Sequence, residues 1–279
     1  MADLALRRCR PLLGTFVEIA APAGMEAAVE AAFAAITRLH RSMSFHEETS
    51  DLARLRRAPA GSLVEVDVET VEVLRVAATL HRRSGGLFDV AIGARLVATG
   101  FLPRPAGVSL CAMVGTAGDI EIIDDSRVRC RRPMLIDLGG LAKGHAVDRA
   151  AAILAGAGAE RAIVNAGGDL RVVGGRGQVI HLRDADGRID GAVEIADAAI
   201  ASSSNRHLRR RHRGGEVAPH LGRNHAAVLA EEAVTIIAGR CIIADAMTKV
   251  ALADRRLAME MLAELGGEIV ALPSRRLAA

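Results

Sequence analysis

The stretch Ile136-Asp137-Leu138-Gly139-Gly140-Leu141-Ala142-Lys143-Gly144-His145-Ala146-Val147-Asp148 decides how this chain is read. An apolar strand end runs through two glycines into a helix expected over residues 142–155. Glycines let a backbone approach a ligand closely, and a helix N-terminus carries partial positive charge. Lys143 in the first turn adds a full charge, so the segment suits a pyrophosphate. Asp137 then stands where a hydroxyl or ring N–H of the same ligand could be held. An ordinary glycine turn before a helix fits the same letters.

Downstream, residues 161–164 read as a strand entering Asn165-Ala166-Gly167-Gly168-Asp169. Residues 170–173, 179–183, 192–195 and 198–201 read as antiparallel strands with glycine-rich turns between them. Residues 241–253 and 256–265 are helical in pattern, and 268–272 form a last strand. Upstream, residues 16–20 read as a strand. Val29, Phe33, Ile36, Leu39 and Met43 recur every three or four positions and mark an amphipathic helix over 26–43. Thr49-Ser50-Asp51 caps a short helix carrying Leu52 and Leu55; 63–68 alternates as a strand; 69–83 is a helix stopped by Ser84-Gly85-Gly86. Residues 86–105 read as irregular, and 121–129 as a hairpin broken at Asp124-Asp125-Ser126. Strands and helices do not alternate strictly. The expected class is therefore α+β, with mixed, largely antiparallel sheets flanked by helices. Length allows one domain over 1–279 or two intimately joined lobes.

Hydrophobic residues make up 51% of the chain, enough for a real core, so disorder is excluded. There is no Trp or Tyr and only five Phe, so small aliphatic side chains must fill that core. Of the formal charge of +3, Arg206, Arg209, Arg210, Arg211 and Arg213 supply five; taking those five from +3 leaves −2. The body is not basic, and no nucleic-acid partner is expected. The arginine cluster reads as a solvated loop, or as a patch for a phosphate-bearing ligand or acidic partner. Cys9, Cys111, Cys130 and Cys241 form no CxxC pair, and no HExxH occurs, so no zinc site is expected. No apolar run has the length of a membrane span, no leader is visible, and Cys9 lies among arginines rather than in a lipobox. As given, the chain is expected to be cytoplasmic; an exported form requires a trimmed leader.

Two further groups carry chemistry. Asp245 and Thr248 in Ala244-Asp245-Ala246-Met247-Thr248-Lys249 lie three apart on one helix face. A carboxylate and a hydroxyl with backbone carbonyls form a hard-oxygen site for Mg²⁺; an N-cap with Thr in the first turn is the alternative. Ser84-Gly85-Gly86-Leu87-Phe88-Asp89 reads as a helix stop, with or without a ligand-contacting loop after it.

Together these motifs, in this order, resemble the FAD:protein FMN transferase (ApbE) family. The matching stretches are Leu13-Gly14-Thr15, Ser50 to Leu55, Gly86 to Val90, Asp137 to Asp148, Asn165 to Asp169, Ala199 to Ser203 and Ala244-Asp245-Ala246. The resemblance implies an α+β fold holding FAD in a cleft. It implies a Mg²⁺-dependent reaction that cleaves the FAD pyrophosphate, moves FMN onto a Thr or Ser hydroxyl of an acceptor flavoprotein, and releases AMP. By position, Asp137 and Lys143 would contact FAD, as would Asn165, Gly167, Gly168 and His220. Leu87, Phe88 and Asp89 would line the flavin pocket. Leu13 and Phe45 fall where the family has flavin-contacting Met and Tyr. Gly140, Asp245 and Thr248 would hold the metal, and Asp245, Thr248 and Lys249 would form the catalytic group.

The chain also departs from the family pattern. Ala-Asp-Ala-Leu-Ser-Thr-Ala becomes Ala-Asp-Ala-Met-Thr-Lys-Val, which sets Lys249 where the family's metal-binding Thr stands. An ammonium there either repels Mg²⁺ or stands in for part of its charge. Pro219 to His225 replaces His-x-x-Asp-Pro-Arg-Thr-Gly and lacks the Asp; His145 replaces a Tyr, and Ser204 a Gly. The alternatives to a transferase are an FAD-binding member with little transferase activity, and a pyrophosphatase giving FMN and AMP.

Overall fold

The computed structural model describes residues 4–270. In chain order the elements are β1 (Leu6–Leu12), β2 (Thr15–Ala21), α1 (Glu26–Met43), α2 (Asp51–Arg57), β3 (Leu63–Glu65), α3 (Val68–Arg83), α4 (Gly93–Ala98), β4 (Ile120–Ile122) and β5 (Arg127–Cys130). Then come α5 (Ala142–Gly156), β6 (Ala162–Ala166), β7 (Asp169–Val173), β8 (Gln178–Arg183), β9 (Ile189–Ile195), β10 (Ala199–Ser203), β11 (Arg210–His212) and β12 (Gly215–Val217). The described chain closes with β13 (Val234–Ala238), α6 (Cys241–Ala253), α7 (Arg255–Leu265) and β14 (Gly267–Ile269).

Seven strands form the main sheet, in the order β1-β2-β6-β7-β10-β13-β14. Every neighbouring pair is antiparallel. The α+β expectation therefore holds. One face carries α1, α5 and α6, and their apolar sides merge with Val17, Ile19, Val164, Ala201 and Ile236 in the principal core. The opposite face is partly covered by the β8–β9 hairpin, whose Leu182 and Ile195 pack on Leu170, Val172 and Ile200. Successive strand residues point to opposite faces, so Ile200 joins one core while Ala199 and Ala201 join the other. A smaller sheet, β3-β5-β4, lies beside α3.

Several elements differ from the expectation. β1 precedes the first expected strand; it is an edge strand carrying Arg7, Arg8 and Arg10, and such charge keeps an edge soluble. It returns through Leu13-Gly14, both at positive φ (56° and 72°), which matches the right-handed twist of a tight hairpin. The strand expected over 63–68 stops at Glu65, because Asp67 caps α3 by accepting from the Glu69 N–H at 2.9 Å. The irregular region 86–105 contains α4. The arginine cluster is no free loop: β11 and β12 form a hairpin, and Arg210 stacks 4.0 Å from the Phe101 ring centroid. β13 lacks polar alternation because, paired between β10 and β14, it is buried on both faces. The last strand runs to Ile269, and positions 271–272 of the expected strand lie outside the described residues.

The segment before α5 is also not a sheet strand. Residues 134–138 run extended beside residues 90–93, tied by Asp137 N–H to Val90 O (2.8 Å) and Gly93 N–H to Leu135 O (2.9 Å). This crossing, rather than a sheet edge, delivers Asp137 and the glycine pair to the N-terminus of α5.

Candidate functional site

A cavity of about 260 Å³ opens beside this crossing. One wall is apolar: Leu87, Phe88 and Val90 from the loop after α3, with Ile92 and Leu96 at α4. The other end is polar, lined by Asp137, Gly139, Gly140, His220 and Lys249. Asp89 lines it as well, but its carboxylate is already used. Oδ1 accepts from the N–H groups of Ala91 (2.7 Å) and Ala117 (3.0 Å), which fixes the loop that carries Leu87 and Phe88. Seven of the expected site residues thus meet in one cavity: Leu87, Phe88, Asp89, Asp137, Gly140, His220 and Lys249.

Beneath the polar end lies a cluster of buried charge. Helix α6 starts at Cys241, and its first amides are capped by Asp148 of α5, which accepts from Cys241 (2.7 Å) and Ile242 (3.0 Å). Asp245 is therefore inside the helix and fully buried, which removes the N-cap alternative. Lys249, one turn on, donates to Asp245 Oδ1 and, at 3.1 Å, to Ser203 Oγ. Asp245 Oδ2 faces the Gly144 N–H at 3.4 Å and the Lys143 ammonium at 3.8 Å. Lys143 in turn donates to Asp169, the first residue of β7.

The electrostatics follow from these contacts. Burial works against charge on Asp245, but Lys249 and Lys143 outweigh it and hold the carboxyl below its ordinary range. Asp169 is pushed up to about 6, by burial first and the Asp245 charge second. Burial likewise raises Asp137. His220 is lowered to about 4, by burial and then by the Lys249 charge, so it is neutral at pH 7. Asn205 donates its amide to Val228 O at 2.8 Å, which leaves its Oδ1 to accept from His220 Nδ1–H. His220 Nε2 is then the unprotonated nitrogen.

Other expected residues lie elsewhere. Leu13 packs against the principal core from the β1–β2 turn, and Phe45 is buried against Val97 and Leu135. Asn165, Gly167 and Gly168 line a different cavity with Thr15 and His181. There Asn165 Oδ1 accepts the Gly168 N–H at 2.9 Å and closes the β6–β7 turn. Gly167, at φ 67°, lies so close to Thr15 that a Cβ would meet its hydroxyl at 2.5 Å. These three residues shape the turn that sets Asp169 in place. Asp169, Ser203 and Asn205 were not among the expected site residues. Asp169 sits at the end of a quoted motif, where a carboxylate after two glycines was the available signal. Ser203 ends the matching stretch Ala199 to Ser203, but its partner Lys249 is 46 positions away; Asn205, whose partner His220 is 15 positions away, had no signal.

The donors expected for a metal do not fit one. Both oxygens of Asp245 face cationic or N–H groups. Thr248 donates to Asp245 O at 2.7 Å and lies 2.8 Å from Ser203 Oγ, so its hydroxyl is committed within the protein. A Cβ built on Gly140 would lie 3.5–3.7 Å from the Lys249 stem, so that side chain runs beside Gly140. Among the described residues, Glu69, Glu72 and His145 are close enough to share an ion. They lie outside the cavity, and both carboxylates are already paired: Glu69 with His145 (2.7 Å) and Arg149 (2.9 Å), Glu72 with Arg240 (2.9 Å).

Comparison with known proteins bears on this arrangement. The sequence pattern of the ApbE family matches residues 13–272. An FAD:protein FMN transferase of Rhodobacter capsulatus is 32% identical over 227 residues, covering 75% of this chain and 43% of that protein. One from Vibrio cholerae is 26% identical over 185 residues, covering 61% and 55%. The chain spans about half the length of these curated relatives. The crystal structure of the ApbE protein from Thermotoga maritima superposes with a TM-score of 0.82 at 26% identity, covering 95% of this chain and 93% of that one.

Proposed function

The chain belongs to the ApbE family, and from that premise we propose that it is an FAD:protein FMN transferase acting on a Thr or Ser hydroxyl of an acceptor flavoprotein. The observation that carries the reading is a single cavity whose apolar wall leads to a glycine pair and a lysine held on a buried carboxylate. Leu87, Phe88, Val90, Ile92 and Leu96 suit a flat isoalloxazine ring. Asp137, at the join between the two ends, suits a ring N–H or ribityl hydroxyl. Lys249 suits the pyrophosphate.

In the reaction, the acceptor hydroxyl oxygen attacks the phosphorus on the FMN side of FAD. A new phosphoester bond forms, the anhydride bond breaks, and AMP leaves with the bridging oxygen. Holding the hydroxyl in line is the main requirement. His220, neutral with Nε2 unprotonated, can take the hydroxyl proton, though a group titrating at about 4 is a weak base. Lys249 stabilises charge gathering on the phosphoryl oxygens. The Mg²⁺ that the resemblance implies finds the Asp245 oxygens and the Thr248 hydroxyl already engaged, so no step is assigned to it.

The test is incubation with FAD and a Thr-containing acceptor peptide, followed by mass spectrometry of the peptide and assay of AMP. Covalent FMN on the peptide with one AMP per transfer is the expected result. AMP without labelled peptide assigns hydrolysis instead, and FAD binding with neither product assigns a flavin-binding role. Asp137→Ala is expected to weaken FAD binding by about tenfold, the size of one lost hydrogen bond to a charged group; unchanged affinity in a fluorescence titration would remove Asp137 from the pocket.

A further inference from the structure

We propose that Lys249 is a built-in cation: its ammonium, held on Asp245 and Ser203 with its stem beside Gly140, stands in for a divalent ion, and the chain binds a dinucleotide pyrophosphate without Mg²⁺. The inference rests on the FAD reading above and adds to it which cation meets the ligand.

Four observations meet here. The Lys249 ammonium donates to Asp245 and Ser203, which uses two of its three N–H groups and leaves one for a phosphate oxygen. Its stem lies beside Gly140, and Lys249 lines the cavity together with Asp137 and His220. The second oxygen of Asp245 is turned to Gly144 N–H and Lys143, and the Thr248 hydroxyl bonds inward, so neither offers a lone pair toward the cavity. Charge balance agrees. Asp169, Asp245 and Lys143 together carry one net negative charge; Lys249 brings the group to zero. A buried anionic cluster would need an external cation before it could accept a pyrophosphate, whereas a neutral one with an ammonium facing the ligand does not. A Mg²⁺ ion entering the same place would meet a fixed positive charge at close range.

The test is titration of FAD fluorescence with the intact protein, in EDTA and in millimolar MgCl₂, together with Mn²⁺ binding followed by electron paramagnetic resonance. The wild type is expected to bind FAD equally in both buffers and to take up no Mn²⁺ in the cavity. Lys249→Thr is expected to lose about tenfold in FAD affinity in EDTA, as for a lost charge-assisted hydrogen bond, to recover it in MgCl₂, and to bind one Mn²⁺. Wild type that binds FAD only with Mg²⁺ overturns the inference and leaves the FAD reading intact. So does Lys249→Thr that matches wild type in both buffers. Wild type that binds FAD in neither buffer overturns the FAD reading and the inference with it. Should Lys249→Thr fail to fold, the wild-type comparison decides alone.

Discussion

Asp245 is ionised yet fully enclosed, and two ammonium groups make that tolerable. Replacing it with Ala leaves Lys143 and Lys249 without their shared partner. Asp245→Ala is expected to abolish FMN transfer and to cost about 3–5 kcal/mol of stability, as for one lost partner of a buried pair. Denaturant unfolding alongside the peptide assay checks both, and full activity would remove this residue from the site. His220 carries a second prediction. Its native pKa, about 4, lies below the ordinary 6.5. A depressed histidine contributes stability that is complete above 6.5 and is lost as pH falls through about 4. His220→Gln should therefore lose less stability than wild type between pH 7 and pH 4, measured by urea midpoints at each pH. An equal loss in both would show that His220 is not the buried neutral group described.

Helices α5 and α6 hold the site through a reciprocal arrangement. Asp148 of α5 caps the N-terminus of α6, and Asp245 of α6 faces the first turn of α5. They cross at Gly144, where a Cβ would come within 2.5 Å of Cys241 O. Gly144→Ala is expected to push the helices apart and cost about 1–3 kcal/mol, the range for overpacked sites. Thermal unfolding reads this, and an unchanged midpoint would contradict the crossing. That glycine looked in the sequence like part of a phosphate turn. Its use is close helix packing, while Lys143 beside it reaches Asp169 and Asp245. Elements with strong periodicity, such as α1 and α6, were legible to their ends because one buried stripe or one capped run specifies them. β13 and β11–β12 were not, since a strand buried on both faces and a short arginine hairpin lack period-two alternation.

On the scale of the whole molecule, the sheet separates two cores with different duties. The helical face carries the charged cluster, and the opposite face carries the β8–β9 hairpin. Ile195→Ala in that hairpin is expected to cost about 2–4 kcal/mol as a large-to-small core change. It should leave FAD affinity unchanged, because Ile195 belongs to the core on the other side of the sheet. A fluorescence titration showing weakened FAD binding would mean that the two faces are coupled. Among the described residues no helix is long and apolar enough to cross a membrane, and all four cysteines are unpaired, Cys130 and Cys241 in the interior. The sequence by itself determined the fold class and the family, because the glycine turns, caps and apolar stripes are local patterns read within a few residues. It also assigned Asp137, Gly140, His220 and Lys249 to one site, and the four line one cavity. Only the tertiary structure decided which groups Lys249 contacts. Its partners Asp245 and Ser203 come from its own helix turn and from a strand 46 positions away, and the balance of charge among buried groups is a property of their packing, not of any one motif.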